Sequence, residues 1–354
     1  MDIQNFIYKV LTPSGSGSAF MISGYKFLIT NYHVVEGFFR VAIEDIEHKR
    51  YEAKVIMLNK ALDLAFLYVE DFKDYQSPIR LNKNLDLDKI QKVNIYGYPF
   101  GMSVTKTSGI VSSYNQLFYG NKYIQTDAAV NPGNSGGAML NEDNELVGIV
   151  CSKITDADNV GFAIRYIEFC DELNLYNFDI DNLLVKCSSC KSYVSSQEKY
   201  CLECGSTIED VVYEVKKSTY IEEVIDGMLT QMGINPVLCR VDYEYWNFYY
   251  QNALIRIFLP DNDKIIITSP LCLLPDKDME SVLEYIVSYK EPSFMLGIYG
   301  LGEIYLSYRV YQEHLYNKDF KSDVLSKFIK MIQSAPKIQE KLMNVYKCRE
   351  FLIN

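Results

Sequence analysis

Three glycines surround Ser135 in the segment 131–137, which reads Asn-Pro-Gly-Asn-Ser-Gly-Gly. Glycine adopts backbone conformations with positive φ at little cost, so this composition predicts a tight turn. Such a turn can direct the backbone N–H groups of Gly133 and Ser135 towards one point, where they would bind the oxyanion of a tetrahedral intermediate. The segment therefore predicts a serine that attacks a carbonyl carbon beside a site prepared for negative charge.

A histidine and an aspartate precede this serine in the order His, Asp, Ser. His33 lies in Thr-Asn-Tyr-His-Val-Val (30–35), and Asp63 lies in Leu-Asp-Leu-Ala (62–65). A serine hydroxyl is a useful nucleophile only when an imidazole takes its proton, and the imidazole needs a carboxylate to hold its tautomer. Alone, such an Asp is usually a turn residue and such a His a packed side chain, but here the two occur together. His48 and His314 lack any such context, and we interpret them as surface residues.

Residues from about 5 to 170 resemble the HtrA/Deg branch of the trypsin-like serine proteases. Beyond the three segments above, the resemblance rests on a glycine-rich first hairpin, the strand before His33, the turn and strand that open a second barrel, the approach to Ser135, and a last pocket strand. These are segments 15–20, 27–31, 97–101, 107–111, 125–130 and 161–164. They occur in the family's order across one domain.

The resemblance implies an all-β, chymotrypsin-like double β-barrel. It also implies a serine endopeptidase that acts on protein or peptide substrates through an acyl-enzyme. His33 would be the general base, Asp63 its orienting acid and Ser135 the nucleophile, with the Gly133, Asn134 and Ser135 amides forming the oxyanion hole. The alternative is a recognition or scaffold protein that keeps the protease fold but is inactive, or latent until a partner binds. The presence of all three residues favours the enzyme.

The substrate pocket is expected to be apolar. Ala129 occupies the position of the pocket floor, six residues before Ser135, and no acid stands there to pair with a Lys or Arg side chain of the substrate. Cys151 and Ile164 are expected to line the pocket walls. A small or medium apolar residue is therefore predicted on the acyl side of the scissile bond.

The amino-acid composition indicates which kinds of partner and which cellular compartment to expect. The 354 residues carry a net charge of −11, which argues against a nucleic-acid surface because phosphate binding depends on clustered Lys and Arg. No run reaches the roughly 18 apolar residues that a membrane helix needs, and the N-terminal residues lack a basic, then apolar, secretory signal. We therefore expect a cytoplasmic protein without nucleic-acid or membrane partners. This differs from the HtrA proteins that work in cell envelopes or organelles.

Four of the nine cysteines form two Cys-x-x-Cys pairs, Cys187/Cys190 and Cys201/Cys204, separated by ten residues. Each short turn presents two thiolates, and two such turns complete a tetrahedral zinc site, so the pattern predicts a zinc ribbon with one structural ion and no open ligand position. A pair of redox dithiols is the alternative, although redox motifs normally occur singly. The other cysteines are scattered and are expected to be buried apolar residues.

Three domains are predicted: the protease domain at 1–175, the zinc ribbon at 183–210 and an α+β domain at 215–354. The last shows an amphipathic helix at 219–232, strands, a second helix, two more strands and a helical stretch at 319–343 interrupted near 334–336. This order, αβββαββα, resembles the type III secretion chaperone-like (YbjN-like) fold, whose free sheet face binds peptides or proteins. The resemblance implies a substrate- or partner-recognition domain. The alternative is an accessory domain that only stabilises the protease.

Overall fold

The structure is a computed structural model that describes residues 2–72, 76–118, 120–153, 160–195, 198–208, 214–261 and 263–351. The chain forms two compact units, Met1–Lys216 and Lys217–Asn354. Among the helices within these described ranges, none combines the length and the apolar character that crossing a membrane requires.

The first half of unit 1 is a closed barrel of six antiparallel strands. Its order is β1-β2-β3-β6-β5-β4, and β4 pairs again with β1. The short helix α1 (Tyr32–Val35) follows β3 directly and carries His33. The strands are β1 (Ile7–Thr12), β2 (Gly15–Met21), β3 (Leu28–Thr30), β4 (Arg40–Glu44), β5 (Arg50–Asn59) and β6 (Leu64–Tyr68).

A second closed barrel follows, and helix α2 (Tyr166–Leu175) comes directly after it. Its strand order is β10-β11-β12-β9-β8-β7, and Ser135 lies in the connection between β9 and β10. Two closed six-stranded barrels confirm the double-barrel fold that the resemblance implies. The strands are β7 (Lys92–Gly97), β8 (Thr105–Phe118), β9 (Asn121–Thr126), β10 (Ala138–Leu140), β11 (Leu146–Lys153) and β12 (Gly161–Arg165).

Strand β1 is buried on both of its faces. All six residues of β1 are buried, and Ile7 and Tyr8 contribute to different cores because successive side chains of a strand point to opposite faces. One core, which contains Tyr8, fills the first barrel. The other core joins side chains of the two barrels, such as Phe66 and Ile149. Packing between the barrels therefore brings the segments with His33, Asp63 and Ser135 together.

The cysteine-rich segment is built into the first barrel and is not a module of its own. Its hairpin consists of β13 (Leu184–Lys186) and β14 (Tyr193–Ser195), and β13 pairs in parallel with the end of β5. Val185, Val194 and Cys201 are buried in the same core as the first barrel. The predicted domain of 28 residues has too little apolar surface for a core of its own, so it shares that of its neighbour.

Unit 2 contains a six-stranded antiparallel sheet with the order β15-β16-β17-β18-β20-β19. The predicted helices and strands all have counterparts here, and three short elements, β15, α4 and α6, are additional. The strands are β15 (Arg240–Asp242), β16 (Tyr245–Tyr250), β17 (Ala253–Asp261), β18 (Lys264–Leu273), β19 (Met295–Tyr299) and β20 (Glu303–Tyr311). The helices are α3 (Tyr220–Gln231), α4 (Pro236–Cys239), α5 (Met279–Ser288), α6 (Glu313–Tyr316) and α7 (Lys318–Asn344).

The predicted interruption of the last helix near 334–336 is wrong. Helix α7 runs through Pro336 without a break. Proline inside a helix removes one backbone hydrogen bond and costs about 3 kcal/mol. The helix continues because one long face is buried in the core of unit 2, with Phe328, Met331 and Leu342 fully inaccessible to solvent. Tertiary packing outweighs the local preference of the proline.

Candidate active site

The turn that carries Ser135 can be formed only by glycine at two positions. Gly133 and Gly136 have φ angles of +93° and +82°. A Cβ atom on Gly133 would lie 2.3 Å from the carbonyl oxygen of Tyr98, and one on Gly136 would lie 2.0 Å from that of Ser18. At Gly136 the second barrel thus approaches strand β2 of the first so closely that no side chain fits, and at Gly133 the turn lies equally close to the segment after β7.

Ser135 is tied to the part of the first barrel that precedes His33. Its carbonyl oxygen accepts a hydrogen bond from the Ser18 N–H at 2.7 Å. Ser18 also holds the turn through its side chain, since its hydroxyl donates to the Gly133 carbonyl oxygen at 2.7 Å and accepts from the Tyr98 N–H at 2.9 Å. The sequence indicated no role for Ser18 beyond its place in the glycine-rich hairpin.

The backbone amides of the turn are not equivalent. The Asn134 N–H donates to the Asn131 carbonyl oxygen at 3.0 Å, closing the turn. Within the described ranges, the N–H groups of Gly133 and Ser135 have no hydrogen-bond acceptor. The three amides expected from the resemblance therefore reduce to two that can bind an oxyanion, and Asn134 has a structural use instead.

Asp63 makes two hydrogen bonds to His33. One carboxylate oxygen accepts from the imidazole at Nδ1 (2.8 Å), and the other accepts from the His33 backbone N–H (3.0 Å). The bond at Nδ1 places the proton on that nitrogen and leaves Nε2 free to accept a proton from a nucleophile. The structure therefore brings together the predicted base and its predicted orienting acid, 30 residues apart in the sequence.

The pKa of His33 is raised above its ordinary value of 6.5. Partial burial of the ring lowers this pKa, but the hydrogen bond to Asp63 and the negative charges of Asp63 and Glu36 raise it by more. The arrangement thus stabilises the imidazolium form that general-base catalysis produces.

The Ser135 hydroxyl does not contact His33. It donates to the carbonyl oxygen of Cys151 on β11 at 3.1 Å. Ser135 itself is half-buried, whereas the His33 side chain is 46% exposed. The hydroxyl must therefore give up its bond to Cys151 before it can donate to an imidazole nitrogen.

The three residues expected in the substrate pocket differ in position. Ala129 is exposed, and its carbonyl oxygen accepts from the Thr107 hydroxyl at 3.1 Å. Cys151 is 4% exposed and its thiol bonds to the Phe162 carbonyl oxygen. Ile164 has no accessible surface, because β12 directs its side chain into the core between the barrels, so the expectation that it lines the pocket is wrong.

Val130 contacts Gly161 where a pocket wall was expected. A Cβ atom on Gly161 would lie 2.4 Å from a methyl group of Val130. Both residues are apolar and buried. Gly161 stood in the matched segment 161–164 and Val130 in 125–130, but no local signal showed that the two touch.

The sulfurs of Cys187, Cys190, Cys201 and Cys204 form one compact cluster, in which all lie within 4.8 Å of one another. Cys187 and Cys204 are 3.8 Å apart, and Cys190 and Cys201 are 3.5 Å apart. A zinc–sulfur bond of about 2.3 Å implies about 3.8 Å between sulfurs at the corners of a tetrahedron. The four residues could therefore hold a metal ion.

The two halves of the cluster repeat one backbone pattern. The N–H of Lys191 donates to the Cys187 carbonyl oxygen, and the N–H of Gly205 donates in the same way to that of Cys201. Both donors are left-handed, with φ angles of +66° and +72°. The Ser192 hydroxyl lowers the pKa of Cys201 to about 6, which favours the thiolate that a metal binds.

Comparison with known proteins agrees with this geometry. Residues 17–149 match the family described as the trypsin-like peptidase domain. This part of the chain resembles a trypsin-like peptidase domain. This match spans all of the elements that carry His33, Asp63 and Ser135.

Similar proteins of known activity indicate which branch of the trypsin-like proteases this part of the chain resembles. The domain is 35% identical over 162 residues to "Protease Do-like 1, chloroplastic" of Arabidopsis thaliana, covering 43% of this chain and 37% of the relative. It is 37% identical over 169 residues to "Serine protease Do-like HtrA" of Bacillus subtilis, and this alignment also covers 43% of this chain and 37% of the relative. The chain thus spans little more than a third of these relatives. The similarities support an HtrA-type serine endopeptidase domain.

A solved structure is also similar. It is titled as the serine endoprotease from Yersinia pestis, with 27% identity, a TM-score of 0.44, and coverage of 49% of this chain and 62% of the other.

Proposed function

We propose that this protein is a serine endopeptidase that cleaves peptide bonds through an acyl-enzyme. The observation that carries the proposal is the paired hydrogen bonding of Asp63 to His33, within the domain that matches the trypsin-like peptidases. Together with the nucleophile turn around Ser135, it supplies the base, the acid and the oxyanion donors that acyl transfer needs.

The proposed reaction has two halves. Ser135 Oγ forms a bond to the carbonyl carbon as its proton passes to Nε2 of His33, and the N–H groups of Gly133 and Ser135 stabilise the oxyanion. The imidazolium then gives this proton to the leaving amine as the carbon–nitrogen bond breaks. Water attacks the acyl-enzyme in the same way, giving its proton to His33, and the carbon–oxygen bond to Ser135 breaks as that oxygen recovers a proton.

A second candidate is favoured by one observation. Because the Ser135 hydroxyl donates to Cys151 and not to His33, we propose as the alternative a latent protease or scaffold that becomes active only when a partner binds. Both candidates use the same residues. They differ in whether the Ser135 hydroxyl exchanges its bond to Cys151 for one to His33 in the isolated protein.

A fluorophosphonate probe tests the proposal, since it reacts quickly only with a serine whose proton can pass to an imidazole. We expect the full chain to be labelled at Ser135, and the Ser135→Ala variant to be unlabelled. Labelling that appears only after a protein substrate is added would favour the latent form. No labelling under either condition would contradict the endopeptidase.

The pH dependence of cleavage follows from the raised pKa of His33. The base must be neutral in the free enzyme, so kcat/KM is expected to rise with pH and to level off above the His33 pKa. The midpoint should lie above 6.5, because Asp63 and Glu36 stabilise the protonated ring. A pH profile of kcat/KM measures it, and Glu36→Gln should move the midpoint down. A midpoint below 6.5 in the wild type would contradict this assignment.

We propose that the four-cysteine cluster binds one structural zinc ion. Cys187, Cys190, Cys201 and Cys204 would supply all four ligands, which leaves no position for a substrate or water. The ion would hold the hairpin together and so stabilise the edge of the first barrel.

We propose that unit 2 recognises protein partners through one face of its sheet. Pairing registers place Tyr249, Tyr311, Met295 and Tyr299 on the same face, opposite the helix-covered core, and each side chain is at least half exposed. We define these four residues as the outer face. Exposed aromatic residues and methionine are enriched at protein interfaces.

Changing the outer face should separate peptide cleavage from protein cleavage. Tyr249→Asp combined with Tyr311→Asp is expected to slow the cleavage of protein substrates while short peptides are cleaved as before. Tyr200→Asp, an exposed tyrosine of unit 1, is the control. A cleavage profile on cell lysate compares the three proteins, and equal profiles would contradict a recognition role.

The remaining proposals concern location and other ligands. The net charge of −11 supports a protein that does not bind nucleic acids. We further propose a cytoplasmic location, which fits the reduced state of the cysteines that a zinc site needs. Fractionation of the source cells would test it, and recovery in a membrane or secreted fraction would overturn it.

A further inference from the structure

Three asparagine side chains hold the backbone of the loop 60–63, which ends at Asp63. They are Asn31, Asn59 and Asn121, and each bonds a different residue of this loop. Side-chain amides that satisfy backbone groups are an ordinary means of fixing irregular segments. Three such side-chain bonds to a loop of four residues indicate that the position of this loop is closely controlled.

Asn31 bonds Asp63 itself. Its Nδ2 donates to the Asp63 carbonyl oxygen at 2.9 Å, and the residue has no accessible surface. Asn31 stands at the N-cap of α1, where asparagine usually caps the helix with its side chain, but here it makes no such bond. At this helix start the His33 N–H is instead bound by the Asp63 carboxylate, so Asn31 holds the backbone of the residue that takes over the capping role.

The other two asparagines fix the residues before Asp63. Asn59 Oδ1 accepts from the Leu62 N–H at 3.1 Å. Asn121 Nδ2 donates to the Ala61 carbonyl oxygen at 2.9 Å. Asn121 begins strand β9 of the second barrel, so this bond links the barrel of Ser135 to the loop of Asp63.

Asp63 needs this support because its backbone is left-handed, with φ of +56°. This conformation is unfavourable for a residue with a side chain, although aspartate adopts it more readily than most. The left-handed backbone lets one carboxylate reach both the ring and the backbone N–H of His33. Such strain persists only when surrounding contacts hold it, and it is concentrated at functional sites.

We propose that Asn31 is a positioning residue for the reaction, acting through Asp63 on His33, with Asn121 in the same role to a smaller degree. The inference rests on the proposed function for its effect on catalysis. The expected effect of Asn31 on the His33 ring does not depend on the proposed function, because the contact between Asp63 and the imidazole exists whether or not the protein is an enzyme. Without Asn31, Asp63 leaves the left-handed conformation and its bonds to His33 weaken.

The experiment has two readouts. The first is the His33 pKa, measured by NMR titration of the ring C–H signals in a Ser135→Ala background, where no self-cleavage occurs. The second is the pair kcat and KM for a fluorogenic peptide. Asn31→Ala is expected to lower the His33 pKa and to lower kcat by about tenfold to a hundredfold, with KM within twofold.

Matched variants separate positioning from loss of fold. Asn121 is half-buried, and Asn121→Ala should lower the His33 pKa and kcat by less than Asn31→Ala does. If Asn31→Ala does not fold, Asn121→Ala tests the proposal in its place. Asn235→Ala removes a comparable side-chain bond to the Val237 N–H in unit 2 and should change neither. A His33 pKa and kcat equal to wild type in both Asn31→Ala and Asn121→Ala would overturn the proposal.

The two failures are distinguishable. If the wild type neither cleaves peptides nor reacts with the fluorophosphonate, the proposed function fails. The NMR titration still decides the role of Asn31 in that case, since an unchanged His33 pKa overturns it and a lowered pKa supports it.

Discussion

Ser135→Ala is expected to lower kcat for peptide cleavage by about four to six orders of magnitude. The substitution removes the atom that bonds the substrate carbonyl carbon, while the turn keeps its shape because Gly133 and Gly136 determine the backbone there. Cleavage of a fluorogenic peptide measures the loss. Thermal unfolding of the same sample should match the wild type, since the lost hydroxyl makes a single bond, to Cys151.

Two further variants make this result specific. Ser108→Ala removes an exposed hydroxyl that bonds Asn94 in the same barrel, and it should leave cleavage within twofold of wild type. His33→Ala should lose about as much as Ser135→Ala, and the double variant should lose little more, because residues that act as a unit are not additive. A Ser135→Ala protein that cleaves at the wild-type rate would refute the assignment of the nucleophile.

Cys201→Ser is expected to remove the bound metal and to destabilise unit 1 strongly. Structural zinc contributes about 10–16 kcal/mol of apparent binding free energy in small zinc peptides, and this energy is linked to folding. Cys201 is 1% exposed and packs in the core that the hairpin shares with the first barrel. Losing the metal should therefore loosen the pairing of β13 with the end of β5, beyond the ribbon itself.

Metal content and calorimetry test this together. We expect one zinc ion per wild-type chain by mass spectrometry, and less than a tenth of that in Cys201→Ser, with a clear fall in the unfolding temperature. Cys170→Ser, at a buried cysteine of α2 outside the cluster, should keep the zinc. A Cys201→Ser protein with full zinc and wild-type stability would contradict the site. Disulfides in purified wild type, without metal, would favour the redox dithiols.

The sequence predicted the parts of the site whose pattern is local. The glycines around Ser135 were interpreted as a tight turn, and in the structure Gly133 and Gly136 have no room for a side chain. The double barrel was implied by the resemblance to the trypsin-like proteases, which rests on short local motifs in the family's order, and the two closed barrels confirm it. Local backbone conformation and side-chain chemistry depend on residues that are neighbours in the sequence, so such features can be predicted without knowledge of the tertiary structure.

Other features depend on contacts between distant segments. Ile164 stood in a motif that lines a pocket in relatives, yet β12 turns it into the core between the barrels. Asn31 lies next to the His33 motif, but its bond to Asp63 crosses 32 positions of sequence. In α7, Pro336 predicted a break that the buried face of the helix overrides. Each of these outcomes was decided by packing, which no short window contains.

What this sequence determined by itself is a set of chemical groups: one hydroxyl in a glycine turn, one imidazole, one carboxylate and four paired thiols. The identity of these groups and their spacing along the chain are fixed by the covalent structure alone. Only the tertiary structure decided that Asp63 bonds His33 twice, that the Ser135 hydroxyl points to Cys151, and that the cysteine hairpin extends the first barrel. These arrangements follow from burying apolar surface between segments far apart in the chain, a free energy that depends on all of them at once.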